Sequence, residues 1–238
     1  MGGLVSYRLD DSVATITMDD GKVNVLSPAL FAELGAAFGR AEADRAVVVL
    51  TGRPGVFSAG FDLTILRSGG AASADLLRAG FELAVRLLAF PTPVVVACPG
   101  HAVAMGAFLV LSGDYRIGAR GAYKLTANEV AIGITMPRAA VEICRQRLIP
   151  ACLSRAVGLA EVFSPDNAVD AGFLDRVVPP AELAQAAAAV AAELTTLDLD
   201  AHAATKLRAR QQTLAALREA IDNDDAEYRA RLAAQHAG

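Results

Sequence analysis

Two short runs of continuous, largely β-branched residues, Ala46-Val47-Val48-Val49-Leu50-Thr51 and Pro93-Val94-Val95-Val96-Ala97, set the strongest constraint on how this chain folds. Neither run alternates with polar residues, so each predicts a strand covered on both faces. Between them, Ala74 to Phe90 carries apolar residues at helical spacing. Strand, helix and strand in that order predict an α/β fold on a parallel sheet with right-handed crossovers. A chain of 238 residues, 54% of them hydrophobic, supplies the core such a sheet needs.

The flanking sequence extends this pattern. Val5 to Thr17 alternates as a hairpin turning at Asp10-Asp11-Ser12, and Ser27-Pro28 forms an N-cap and N1 pair for a helix to about Arg40. A short apolar helix is expected from Met105 to about Leu111, a strand over Tyr115 to Ala119, and helices over Pro137 to Arg147 and Leu153 to Leu159. Ser164 to Leu199 opens with a helical turn, passes a strand at Arg176-Val177-Val178 and continues through Pro180 into an alanine-rich helix. From His202 onward the pattern is amphipathic helix, suited to packing or oligomer contacts.

Composition excludes several function classes. Against 26 acidic residues stand 22 basic ones without a Lys/Arg block, a net charge of −4 that argues against nucleic acid as the main partner. The three histidines, His101, His202 and His236, show no i, i+4 pair, so no metal site is expected. Dinucleotide, P-loop and serine-hydrolase glycine motifs do not occur. Cys98, Cys144 and Cys152 form an odd set without CxxC spacing and read as reduced core thiols of a cytoplasmic protein. No apolar run reaches the ~20 residues of a membrane span. The opening Met1-Gly2-Gly3-Leu4-Val5-Ser6 has no basic segment followed by an apolar one, so secretion is not expected. It fits a loose myristoylation pattern, but Val5, Tyr7 and Leu9 alternate as a strand does and no second membrane signal accompanies them.

Two segments carry the candidate chemistry: Val56-Phe57-Ser58-Ala59-Gly60-Phe61-Asp62-Leu63 and Gly100-His101-Ala102-Val103-Ala104-Met105-Gly106-Ala107-Phe108. Each lies where an apolar run ends and a turn or helix begins, so each can aim a free backbone N–H at one point. Two such donors make an oxyanion hole. Glu129, in Ala127-Asn128-Glu129-Val130-Ala131-Ile132-Gly133, is the candidate proton-moving group, because a carboxylate beside an apolar run reaches a partly dry pocket where its pKa rises. Plainer readings stand beside these: close helix packing through Ala104-Met105-Gly106-Ala107, a solvated Glu129, and a packed, satisfied His101 rather than a basic one.

In the same order and at closely matching intervals, Phe57-Ser58-Ala59-Gly60-Phe61-Asp62, the Gly100 to Asp114 segment and Asn128-Glu129-Val130 resemble the crotonase family of enoyl-CoA hydratases and isomerases. Asp166 to Val178 resembles that family's Ala-x-x-x-Gly-Leu-Val stretch, so the likeness covers nearly the whole chain. The resemblance implies a ββα spiral over residues 1–195 that binds an acyl-CoA thioester, and C-terminal helices over 196–238 that hold a trimer or dimer of trimers together. It implies backbone donors at Phe61 and Met105, and Glu129 as the base. It implies coenzyme A contacts along Lys22 to Leu26, Val25 among them, and at Ala59, Gly60, Asp62 and Leu63. Lys206 resembles a family lysine that reaches coenzyme A phosphates, and reads equally as a solvated helix lysine. Coenzyme A is part of the substrate, so no separate cofactor is implied.

One departure bears on the reaction. The family's hydratases carry a second glutamate three positions after the second donor, and here that position is Phe108, which helical spacing puts on the same side as Met105. A phenyl ring is therefore expected in the pocket where a hydratase has a carboxylate. Family members that are Δ3,Δ2-enoyl-CoA isomerases resemble this single-acid arrangement, so isomerisation is the expected reaction. The alternative is hydration, with Asp62 or Glu142 as the second acid, although Asp62 also suits capping of the turn after Gly60. A non-catalytic acyl-CoA binder, and decarboxylation or thioester hydrolysis, are further alternatives. The pocket wall is expected from Leu66, the Ala74 to Phe90 helix and neighbouring subunits.

Overall fold

A computed structural model describes residues 3–236, with side chains through residue 234. Met1 and Gly2 of the myristoylation pattern and the imidazole of His236 lie outside the described residues. The N-terminal alternation forms a hairpin, β1 (Val5–Asp10) pairing antiparallel with β2 (Val13–Met18). Asp11 turns it at φ +49°, a conformation that short polar side chains tolerate best. After β3 (Val25–Leu26), Ser27 caps α1 (Pro28–Ala43), its hydroxyl accepting the Leu30 N–H at 3.2 Å.

The first continuous apolar run is β4 (Val47–Thr51), followed by β5 (Gly55–Ser58), β6 (Gly60–Phe61), α2 (Leu63–Ser68) and α3 (Gly70–Leu88). The second is β7 (Val94–Cys98), followed by β8 (Gly100–Val103) and α4 (Met105–Leu111). Next come β9 (Tyr115–Ala119), β10 (Leu125–Thr126), α5 (Arg138–Arg145), α6 (Pro150–Gly158), α7 (Pro165–Ala171) and β11 (Arg176–Val178). The chain closes with α8 (Leu183–Leu194), α9 (Leu199–Ala209) and α10 (Gln211–His236). One unit recurs: a long strand, one or two short strands, then helix.

The long strands form a six-stranded sheet in the order β1-β2-β4-β7-β9-β11, parallel except at the hairpin. The short strands pair among themselves, β10-β8-β5 and β3-β6, all in parallel. Both faces of the long sheet are covered, as the unbroken apolar runs require. Val48, Leu50, Val94 and Val96 point into the main core with Phe38, Phe57 and Leu87. Val47, Val49, Val95 and Ala97 face α8 through Leu183, Ala187 and Ala191.

Helix boundaries differ from expectation where glycine and proline act. The third helix starts at Gly70 instead of Ala74, because Gly69 and Gly70 take positive φ and turn the chain into it. The sixth starts at Pro150 instead of Leu153, since proline's fixed φ suits a first helical turn. The amphipathic tail is two helices, broken at Arg210, whose guanidinium donates to the Leu88 carbonyl at 2.8 Å. Its second helix lies on α3 and α5 of the same chain and contributes Leu214, Leu217, Ala220 and Ile221 to the main core. Among the described residues no helix is long and apolar enough to cross a membrane.

Candidate active site

Each candidate donor follows a chain reversal at the C-terminal end of a long strand. After β4, the chain passes through Gly60 at φ +90° to Phe61. A β-carbon on Gly60 would stand 3.0 Å from the Val103 carbonyl oxygen and 3.5 Å from the Met105 nitrogen, so glycine here both permits the left-handed turn and lets the two segments touch. After β7, Ala104 is held at φ +51° with its N–H on the Thr126 carbonyl at 2.9 Å. That conformation is costly for a residue with a side chain, on the order of 1 kcal/mol, and strain of this kind gathers at functional sites. Met105 is then the first residue of α4, so its N–H has no acceptor within the helix and lies at the positive end of the helix dipole. Gly106 packs this helix start onto Ser58, whose carbonyl would be 2.5 Å from an added β-carbon. Phe61 and Met105 are thus neighbours although 44 positions separate their numbers.

Glu129 follows β10, the strand paired with the chain that leads into Met105. Only 7% of its surface is exposed, and its buried Oε2 has no hydrogen-bond partner. Burial pushes its carboxyl up to about 7. Cys144 on α5 senses the same carboxylate: burial first and the Glu129 charge second raise its thiol, which places Glu129 against the interior. The solvated reading of Glu129 is therefore corrected. So is the source of its dryness, because Val130, Ala131 and Ile132 are all exposed on a short helical turn. The Glu129 carbonyl accepts the Ile132 and Ile134 N–H groups at 3.1 and 2.9 Å, folding that loop back over its own base.

Phe108 is fully buried and stacks on Phe81 at 6.4 Å between centroids. Phe81, not Phe108, lines the adjoining cavity of about 590 Å³, so the expected phenyl wall is displaced by one ring. Leu63, Leu66, Leu77, Met136 and Ile221 complete its apolar surface. Leu66 and α3 were expected there; Ile221 and Tyr228 from α10 were not, since no periodicity reveals which distant helix returns to a site. Of the expected site residues only Leu63 lines this cavity, Phe61, Met105 and Glu129 lying outside its wall, and a second cavity of about 600 Å³ between β2, β4 and α8 is lined by none of them.

The segment expected to meet coenzyme A joins this neighbourhood. Buried Asn24, at φ +52°, donates to the Met18 and Phe57 carbonyls at 3.0 Å each, and the Ala59 N–H donates to the Val23 carbonyl at 3.0 Å. Half-buried Val25 and exposed Ala59 and Leu63 line that edge, where β3 pairs with β6. Asp62 caps α2, its carboxylate accepting the Thr64 and Ile65 N–H groups at 2.8 and 3.3 Å, which makes it a structural cap rather than a second acid. Glu142 is paired with Arg145 at 3.3 Å. His101 accepts the Lys124 N–H at Nδ1 and meets Tyr123 edge-on, the packed reading.

Lys206 does not join the site. Its ammonium, 4% exposed, pairs with Asp114 at 2.6 Å, and Asp114 also receives the Val94 N–H at the opposite end of the long sheet. Burial brings this lysine down to about 8. A solvated or phosphate-reaching role is corrected, because the amphipathic pattern could not show which tail residues turn inward. Cys98, Cys144 and Cys152 are free, buried thiols.

Residues 8–236 match the family model described as enoyl-CoA hydratase/isomerase. The chain is 31% identical to human mitochondrial enoyl-CoA delta isomerase 1 across 93% of this chain and 75% of that protein. An enoyl-CoA hydratase structure from Mycobacterium ulcerans superposes with a TM-score of 0.92 at 49% identity, covering 95% of this chain and all of that one. The human mitochondrial delta3-delta2-enoyl-CoA isomerase superposes with a TM-score of 0.90 at 30% identity, covering 96% and 92%.

Proposed function

The chain belongs to the enoyl-CoA hydratase/isomerase family and has its crotonase fold, and we propose that within it the protein moves the double bond of a 3-enoyl-CoA to the 2 position. The observation that carries this reading is a single buried, unpartnered acid, Glu129, with the buried phenyl ring of Phe108 three residues after Met105 where a second carboxylate would otherwise stand. The Glu129 carboxylate takes a proton from C2, and electrons flow into the thioester carbonyl and the C3–C4 double bond. The resulting dienolate oxygen is held by the Phe61 and Met105 N–H groups, the second at a helix N-terminus. Glu129 then returns the proton at C4, leaving the double bond between C2 and C3. The proton leaves and returns on one side chain, so the reaction needs no cofactor beyond the coenzyme A that the substrate carries.

Coenzyme A lies, in this reading, along the edge formed by Val25, Ala59 and Leu63, with the acyl chain in the cavity beside Phe81. Hydration is the second reading, favoured by the hydratase name of a relative 49% identical. It requires a second proton-handling group, and neither Asp62, committed to its cap, nor Phe108 supplies one. A homo-oligomer, trimer or dimer of trimers, is part of the same proposal. Ile149, Leu159 and Val162, exposed at 44%, 74% and 52% on and beside α6, offer apolar surface for it, and residues 196–238 would contribute.

Separate incubation with 3-enoyl-CoA and 2-enoyl-CoA tests the assignment, following double-bond migration and 3-hydroxyacyl-CoA formation. Migration is expected to dominate. Predominant 3-hydroxyacyl-CoA from the 2-enoyl substrate would replace isomerase by hydratase.

A further inference from the structure

Gly80 lies in the middle of α3, buried, where the side chains of Phe61 and Met105 both meet the same helix. A β-carbon at position 80 would overlap Phe61 Cε1, stand 2.6 Å from Phe61 Cζ and lie 3.4 Å from Met105 Cγ. Such approaches to Phe61 are closer than van der Waals contact allows, so some atom must move. The Phe61 ring is half-buried and flanked by two other rings. Phe31 of α1 meets its edge at 6.3 Å between centroids and Phe81 of α3 at 6.2 Å, while Phe81 in turn stacks on Phe108 of α4. These four rings link α1, β6, α3 and the helix that begins at Met105.

The stiffness of the two partners decides which moves. One is a 19-residue helix docked in the core; the other is a two-residue strand paired with β3 and followed by the Asp62 N–H bond to the Leu26 carbonyl at 3.2 Å. The short strand is the softer body. We infer that Gly80 is a positioning residue: by carrying no side chain it lets Phe61 seat against α3 and so sets the separation of the Phe61 and Met105 amides. This rests on the proposed reading of those amides as the oxyanion donors. Displacing a catalytic group by about 1 Å can cost ~10²-fold in rate. Alanine is the better helix former, so local helix stability works against any loss.

The test is a double-mutant cycle on the full chain with 3-enoyl-CoA, reading kcat and KM separately alongside thermal unfolding. Gly80→Ala is expected to lower kcat about 10–100-fold while KM stays within about threefold. In a Phe61→Leu background, which lacks Cε1 and Cζ, adding Gly80→Ala is expected to cost less than about threefold relative to Phe61→Leu alone. A Gly80→Ala chain that folds only in that background supports the same conclusion. Unchanged kcat in Gly80→Ala, an equal loss in both backgrounds, or failure to fold in both overturns the inference. Wild-type turnover, measured first, keeps the two ideas apart: its absence with either enoyl-CoA sinks the proposed function, whereas normal turnover with a silent Gly80→Ala sinks only the role of Gly80.

Discussion

In the proposed role of Glu129, burial without a partner for Oε2 holds its proton up to about pH 7, where a base must be able both to take and to release one. Turnover in kcat/KM is therefore expected to rise through about pH 7 and level off above it, as a pH-rate profile would read. Replacing the base by Glu129→Gln should lower kcat by ~10²–10⁴-fold. The same burial opposes folding once the group ionises. From pH 4.5 to about 7 the unfolded chain loses this proton while the folded chain keeps it, so stability falls across that window and the cost is complete above it. Glu129→Gln should accordingly be more stable than wild type at pH 8, by up to ~3 kcal/mol, with the difference shrinking towards pH 4 in urea unfolding.

At the scale of elements, the anchoring of α9 rests on Asp114, which sits between α4 and β9 and holds Lys206 at 2.6 Å and Arg210 at 2.9 Å. Nearby, Arg147 donates to the Gly113 carbonyl at 2.6 Å, adding a third cation to the cluster. Removing the carboxylate leaves buried positive charges without compensation, which costs more than the pair itself contributes. Asp114→Asn is expected to destabilise by about 3 kcal/mol, measured by denaturant unfolding at pH 7. A cost below ~1 kcal/mol would show that water relieves the cluster. The reversal at Ala104 works in the other direction, concentrating backbone strain where the helix start must face the neighbouring strand.

For the whole molecule, the decisive feature is that α10 closes over α3 and α5 and supplies part of the cavity wall. Burial of Leu214, Leu217 and Ile221 contributes on the order of 5–9 kcal/mol, comparable with the total stability of a typical domain. A chain ending at Arg210 should lose its cooperative unfolding transition, as calorimetry would detect. Sedimentation of the full chain is expected to give three or six times the mass of one chain, and a monomer at micromolar concentration would remove the oligomer from the proposal.

Much of this architecture is written locally. Unbroken valine runs specify buried parallel strands because only a sheet covered twice hides every side chain, and Ser27-Pro28 specifies a helix start because cap and first turn need those groups. Apolar runs mark where strands end, which located the two segments able to offer backbone donors, while the choice of Phe61 and Met105 within them rested on the family resemblance. Contacts between distant segments are not local, and there the sequence was silent. Lys206 sits on an amphipathic helix and Phe108 on a helix buried all round, and neither pattern names the partner. Only packing in three dimensions decided that Lys206 meets Asp114 far from the site, that Phe81 stands between Phe108 and the cavity, and that Gly80 leaves room for Phe61. Periodicity records which side of an element avoids water; the partner it meets is set by the summed packing of the whole chain.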